Sequence, residues 1–142
     1  MGIRIGVWID HQHAHLCEID GDGRAAELRT IESEFEREAK GHGHVGNVPA
    51  HGVAGDYKSS ERRNDRALSS YYKRIGSMLR NADEVALLGP GLAKTELQKT
   101  LEKEHGEVAR RIKRVEAMDK KFTEGQLVAR VKEIFGIPTR AT

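Results

Sequence analysis

The 142-residue sequence lacks the features that mark secreted, membrane-spanning and strongly cationic proteins. Its single cysteine, Cys17, excludes an internal disulfide and is typical of a reducing compartment. No apolar run approaches the length of a membrane span, and the N-terminus has no apolar signal segment, so we expect a cytoplasmic protein. Lysine and arginine number 24 against 22 acidic residues, so the net charge of +2 does not by itself demand a nucleic-acid partner.

A short apolar run followed by Gly89-Pro90-Gly91 lies at the centre of the predicted fold. Residues 85–88 are typical of a strand buried on both faces, and the glycine-proline turn must end it. Helical spacing after the turn then predicts a helix with Leu92 on its buried side and Glu96 on its exposed side. Strand, turn and helix could hold a phosphate, but the spacing fits neither the Walker nor the dinucleotide pattern, so we interpret it as a tight turn.

The remaining elements complete an α/β domain covering residues 1–142. Strands are predicted over residues 3–9, 14–19, 25–35 and 111–117, with a helix as the alternative for 111–117. Helices are predicted over 60–80 and after Thr123, with Gln126 as the capping-box partner. Because βαβ crossovers are right-handed, these four strands and the strand at residues 85–88 form a mixed five-stranded sheet of order 3-2-1-4-5. We therefore predict a ribonuclease H-like topology, with three antiparallel strands first and helices on both faces.

Residues 39–59 show no periodicity and are predicted to form a long flexible loop. They are rich in glycine, including Gly52 and Gly55, and contain His42, His44 and His51. Long irregular segments inside compact domains are usually functional or disordered. The predicted helix that follows has a basic exposed side, and the candidate RNA-binding residues are Lys58, Arg62, Arg63, Arg66, Lys73 and Arg74.

Four segments resemble, in order and spacing, the middle domain of the eukaryotic and archaeal-type peptide-chain release factor. They read GVWIDHQHAHLCEIDGDG, SSERRNDRALSSYYKRIGSML, VALLGPGLAKTELQKTL and DKKFTEGQLVARVKEIF. The chain is also similar to Pelota and to small bacterial members of that family, labelled translational machinery proteins. The resemblance implies a ribonuclease H-like fold and a role in translation.

The sequence departs from that family in the loop. In the release factor, the loop carries a Gly-Gly-Gln motif that enters the ribosomal peptidyl-transferase centre and helps water reach the peptidyl-tRNA ester. Here the glutamines are Gln12, Gln98 and Gln126, and none lies in the loop. The departure implies a protein without peptide-release activity, and a Pelota-like role that engages ribosomes without hydrolysing the ester stays open.

Two other groups of residues could bind metal ions. His11, His13 and His15 alternate and would share one face of an unbroken strand, where they could bind zinc, although the turn implied by the resemblance would separate them. The carboxyl ends of the parallel strands would form a crevice, where carboxylates could bind the metals of a nuclease or hydrolase. The crevice residues are Asp10, His11, Gly89, Gly91, Lys94 and Asp119.

Taken together, these patterns favour a non-catalytic ribosome- or RNA-associated module, with no catalytic residue, cofactor or metal ligand assigned. The expected partner is the ribosome or ribosomal RNA, contacted by the glycine-rich loop and the basic helix. A metal-dependent nuclease and a homo-oligomeric protein-interaction module are the alternatives.

Overall fold

The computed structural model describes residues 2–21, 23, 26–33 and 53–137, and for residues 53–64 it describes the backbone only. The strands of this part of the chain are β1 (Arg4–Ile9), β2 (His13–Ile19), β3 (Ala26–Glu32), β4 (Glu84–Gly89) and β5 (Ile112–Ala117). The helices are α1 (Val53–Met78), α2 (Ala93–Glu104), the short α3 (Gly106–Ala109) and α4 (Glu124–Phe135). Helix α3 was not predicted from the sequence. No helix in the described ranges is long and apolar enough to cross a membrane.

All five strands form one mixed sheet of order β3-β2-β1-β4-β5, which confirms the predicted topology. Strand β1 pairs antiparallel with β2 and parallel with β4. Strand β3 adds antiparallel to β2, and β5 adds parallel to β4. The predicted central strand is central, because residues 85–88 of β4 are fully buried.

Successive residues of the central strands point to opposite faces of the sheet and build two apolar cores. Val7 and Leu87 face α1, α2 and α3, whereas Trp8 and Leu88 face α4. Helix α4 starts with the predicted capping box, since Gln126 N donates to Thr123 Oγ1 and Thr123 N donates to Gln126 Oε1. Helices therefore cover both faces, as predicted.

Two glycines allow close approach within this layered structure. A Cβ on Gly6 of β1 would lie 2.5 Å from a methyl group of Val131, so the bare backbone lets α4 sit directly on the sheet. Gly89 has φ +155°, and a Cβ there would lie 2.2 Å from the carbonyl oxygen of Ile9. The last residue of β4 must therefore be glycine for β1 and β4 to end side by side.

Helix α1 begins at Val53, so the prediction of a loop through residues 53–59 is wrong. The helix has 26 residues, about 39 Å at the usual rise, whereas the six residues of β1 extend about 20 Å. The first part of α1 therefore has no sheet to cover and needs no apolar stripe. Since the apolar stripe is the signal that identifies a helix in a sequence, this part of α1 was missed.

Leu92 is also not where the helical spacing placed it. Its side chain is 67% exposed, whereas Ala93, Leu97 and Leu101 are buried. Leu92 is the N-cap residue of α2 and belongs to the turn that follows β4. The 3.6-residue periodicity applies only from Ala93 onward, which explains the error.

Candidate nucleic-acid interface

Two buried tyrosines fix α1 to the carboxyl edge of the sheet. The hydroxyl of Tyr71 donates to the carbonyl oxygen of Asp10 at 2.9 Å, at the end of β1. The hydroxyl of Tyr72 donates to Glu96 Oε1 of α2 at 2.7 Å. Burial and then the charge of Asp10 raise the pKa of Tyr71, and burial and then the hydrogen bond to Glu96 raise the pKa of Tyr72. Both hydroxyl groups therefore stay protonated and serve as donors.

Glu96 joins three elements. Besides the Tyr72 hydroxyl, its Oε1 contacts His11 Nε2 of the β1–β2 turn at 3.0 Å. Helical spacing predicted Glu96 on the exposed side of α2, but its side chain is only 40% exposed. Such polar contacts between distant segments leave no local signal, and only the tertiary structure reveals them.

The anchoring position shows how far α1 reaches beyond the sheet. Tyr71 lies at the carboxyl edge of β1, and α1 begins 18 residues earlier, at Val53. At the α-helical rise, the helix extends about 27 Å N-terminal to this contact. The candidate residues Gly55, Lys58, Arg62 and Arg63 lie in the projecting part, where only the backbone is described.

The described part of α1 has an exposed face rich in positive charge. Arg66, Lys73 and Arg74 are exposed, and none of them forms an ion pair with another described residue. Steps of four and seven residues lead from position 62 to Arg66 and on to Lys73, so these positions share one side of the helix. This arrangement leaves the cations available to an external anionic partner.

The strand-end crevice brings its predicted residues to one edge of the sheet, but several of their polar groups make local contacts. Asp10 Oδ1 accepts hydrogen bonds from the backbone N–H groups of Gln12 and His13, both at 2.8 Å. Lys94 Nζ donates to the carbonyl oxygen of Gly91 at 2.7 Å, and Asp119 Oδ1 accepts from the N–H of Lys120 at 2.7 Å. These contacts stabilise turns, as the interpretation of 89–91 as a tight turn anticipated.

The three alternating histidines do not share one face. The chain turns at residues 10–12, so His11 contacts Glu96 on one side of the sheet while His13 and His15 lie beside Trp8 on the other. Among the described residues, no three His, Cys, Asp or Glu side chains are grouped to hold a metal ion, whether on this strand or in the crevice. The three-histidine zinc site is therefore not formed, and the described geometry gives no support to the nuclease alternative.

The candidate loop residues His42, His44, His51 and Gly52 lie outside the described residues. Their assignment as an RNA-facing segment stays a prediction.

The order of the strands and the placement of the helices define an α/β domain that solved structures of translation factors also contain. The archaeal translation termination factor aRF1 matches 92% of this chain at 16% identity with a TM-score of 0.55. Pelota of Archaeoglobus fulgidus matches 96% at 13% identity with a TM-score of 0.54, and Pelota of Thermoplasma acidophilum 93% at 17% with 0.51. The resemblance inferred from the sequence segments is thus confirmed at the level of the fold.

The chain spans about a third of those proteins, with coverage of 34%, 34% and 32% of their lengths. No family model and no curated protein matches the sequence. The comparisons therefore show a shared fold, and the activity of this chain must be argued from its own residues.

Proposed function

We propose that this protein is a non-catalytic module of translation that contacts the ribosome or ribosomal RNA through α1. The observation that carries the proposal is a set of exposed cations on a helix that projects beyond the sheet. They are Arg66, Lys73 and Arg74, and none of them forms an ion pair with another described residue. The structural neighbours, a translation termination factor and Pelota, support translation as the process.

The uneven charge distribution supports α1 as the contact surface. Strands β2 and β3 expose or half-expose Glu18, Glu27 and Glu32, which would repel phosphate. Between Arg66 and Arg74, by contrast, α1 carries no acidic residue. Three exposed cations without an acidic residue among them favour contact of residues 66–74 with a polyanion.

We further propose that the module does not release peptides. The Gly-Gly-Gln sequence is absent from all 142 residues. Gln126 is engaged in the capping box of α4, and Gln12 and Gln98 belong to the β1–β2 turn and to α2. No glutamine lies in the segment where the release-factor motif would be expected.

Sedimentation with purified ribosomes through a sucrose cushion tests the contact. The test variant is Arg66→Glu/Lys73→Glu/Arg74→Glu, and the matched control is Lys99→Glu/Lys103→Glu/Lys121→Glu, which makes the same change in charge at three exposed lysines outside α1. Losing three phosphate contacts should lower the slope of log affinity against log salt by about 2–3. The control should retain most of the binding.

Equal losses in the two variants would show only a general charge effect and would contradict the assignment to α1. Wild-type protein that stays in the supernatant at low salt would contradict ribosome association itself. In a peptidyl-tRNA hydrolysis assay with stalled ribosomes, we expect no release above the rate without added protein. Release by the wild type would overturn the non-catalytic assignment.

A further inference from the structure

His13 and His15 form a second group of polar side chains, on the face of the sheet opposite the His11–Glu96 contact. Both side chains are half-buried, and their ring centroids lie 5.0 Å apart. They are two residues apart on β2, so they point to the same face. Trp8 lies against both rings, with centroid distances of 5.6 and 5.7 Å.

We propose that His13 and His15 bind a divalent transition-metal ion of the class of Zn²⁺, Ni²⁺ and Cu²⁺. Water would complete the coordination, since no third described ligand side chain lies with these two histidines. This site is independent of the proposed ribosome contact, because it uses no residue of α1.

The spacing of the two rings fits a shared ion. With metal–nitrogen bonds of about 2.0–2.1 Å and a tetrahedral angle of about 109°, two imidazoles on one ion place their ring centroids about 5 Å apart. The observed separation is 5.0 Å, which matches the spacing that a shared ion requires.

In each histidine the Nδ1 atom faces an oxygen atom of the protein, which leaves Nε2 as the atom that would bind the ion. His15 Nδ1 contacts Thr30 Oγ1 at 3.0 Å, and His13 Nδ1 faces Asp10 Oδ1 at 3.8 Å. The Nε2 atoms of both histidines make no hydrogen bond to any residue in the described ranges. Metal-binding histidines commonly have one nitrogen held by an oxygen of the protein while the other binds the ion.

The position of Trp8 provides a direct test, since it is the only tryptophan in the chain. Titration with Cu²⁺, which quenches indole fluorescence at short range, should give saturable quenching at one equivalent. Zn²⁺, which does not quench, should compete and restore the fluorescence. His13→Asn and His15→Asn should each raise the apparent dissociation constant for Cu²⁺ about tenfold or more, which is a loss of about 1.4 kcal/mol or more of binding free energy.

Two controls separate this site from other histidines. His105→Asn, on the opposite side of the sheet, and the triple variant His42→Asn/His44→Asn/His51→Asn should both leave the quenching curve unchanged. Unchanged quenching in His13→Asn and His15→Asn, or loss of quenching in the triple variant, would overturn the proposal. If circular dichroism shows that His15→Asn is unfolded, His13→Asn decides the outcome.

Discussion

Replacing Tyr72 with phenylalanine tests whether its hydroxyl holds α1 against α2. The Tyr72 side chain is 4% exposed, and its hydroxyl donates to Glu96 Oε1 at 2.7 Å. A hydrogen bond to a charged group contributes about 1.5–3 kcal/mol to stability. Because Glu96 is 40% exposed, water replaces part of the lost contact. We therefore expect Tyr72→Phe to lower the free energy of unfolding by about 1–1.5 kcal/mol.

A double-mutant cycle with Glu96→Gln, measured by urea unfolding at pH 7, isolates this contact. We expect a coupling energy between Tyr72 and Glu96 of about 1 kcal/mol. Tyr71→Phe is the matched control, because the Tyr71 hydroxyl donates to the carbonyl oxygen of Asp10 and not to Glu96. Tyr71→Phe and Glu96→Gln should be additive to within about 0.5 kcal/mol. A Tyr72–Glu96 coupling no larger than that of the control pair would refute the anchoring of α1 by this contact.

Three further predictions concern the core and the histidines. Gly6→Ala should destabilise the fold by about 1–3 kcal/mol, because the added methyl group clashes with Val131. Val131→Ala should recover part of that loss in the double variant. If the unfolding free energies of the two substitutions simply add, the close approach of α4 is contradicted. Gly89→Ala should cost more than about 3 kcal/mol and find no such rescue, because its Cβ meets the backbone of Ile9 at positive φ; a thermal melt close to that of the wild type would contradict the geometry. The pKa of His15 is lowered from 6.5, so the unfolded chain takes up the proton first, and the free energy of unfolding should fall as the pH drops from about 7 through the folded-state pKa. Between pH 7.5 and 5.5, His15→Gln should lose less stability than the wild type. Equal losses in the two proteins would show that other groups cause the effect.

The sheet could be predicted because its signals are local. Alternating apolar residues in β1, the fully apolar run of β4 and the capping box at Thr123 each report the environment of a few neighbouring residues. The handedness of βαβ connections then determined the strand order. Helical periodicity likewise places Tyr71 and Tyr72 on the buried side of α1, where the structure has them.

The errors arose where the apolar pattern ends. The projecting part of α1 covers no sheet, so it has no apolar stripe to reveal it, and Leu92 lies one residue before the helical periodicity starts. The basic residues of α1 could be identified from the sequence. That three of them are exposed and unpaired among the described residues could not, since pairing depends on what lies across from each side chain.

The sequence by itself determined the layers of this protein, because the period of the apolar residues specifies which side of each strand and helix is buried. Only the tertiary structure decided which polar groups meet. The turn at residues 10–12 sends His11 to Glu96 and Tyr72 on one face and leaves His13 beside His15 on the other. Contacts of that kind depend on turn geometry and strand register, and the spacing of the contacting residues in the sequence predicts neither.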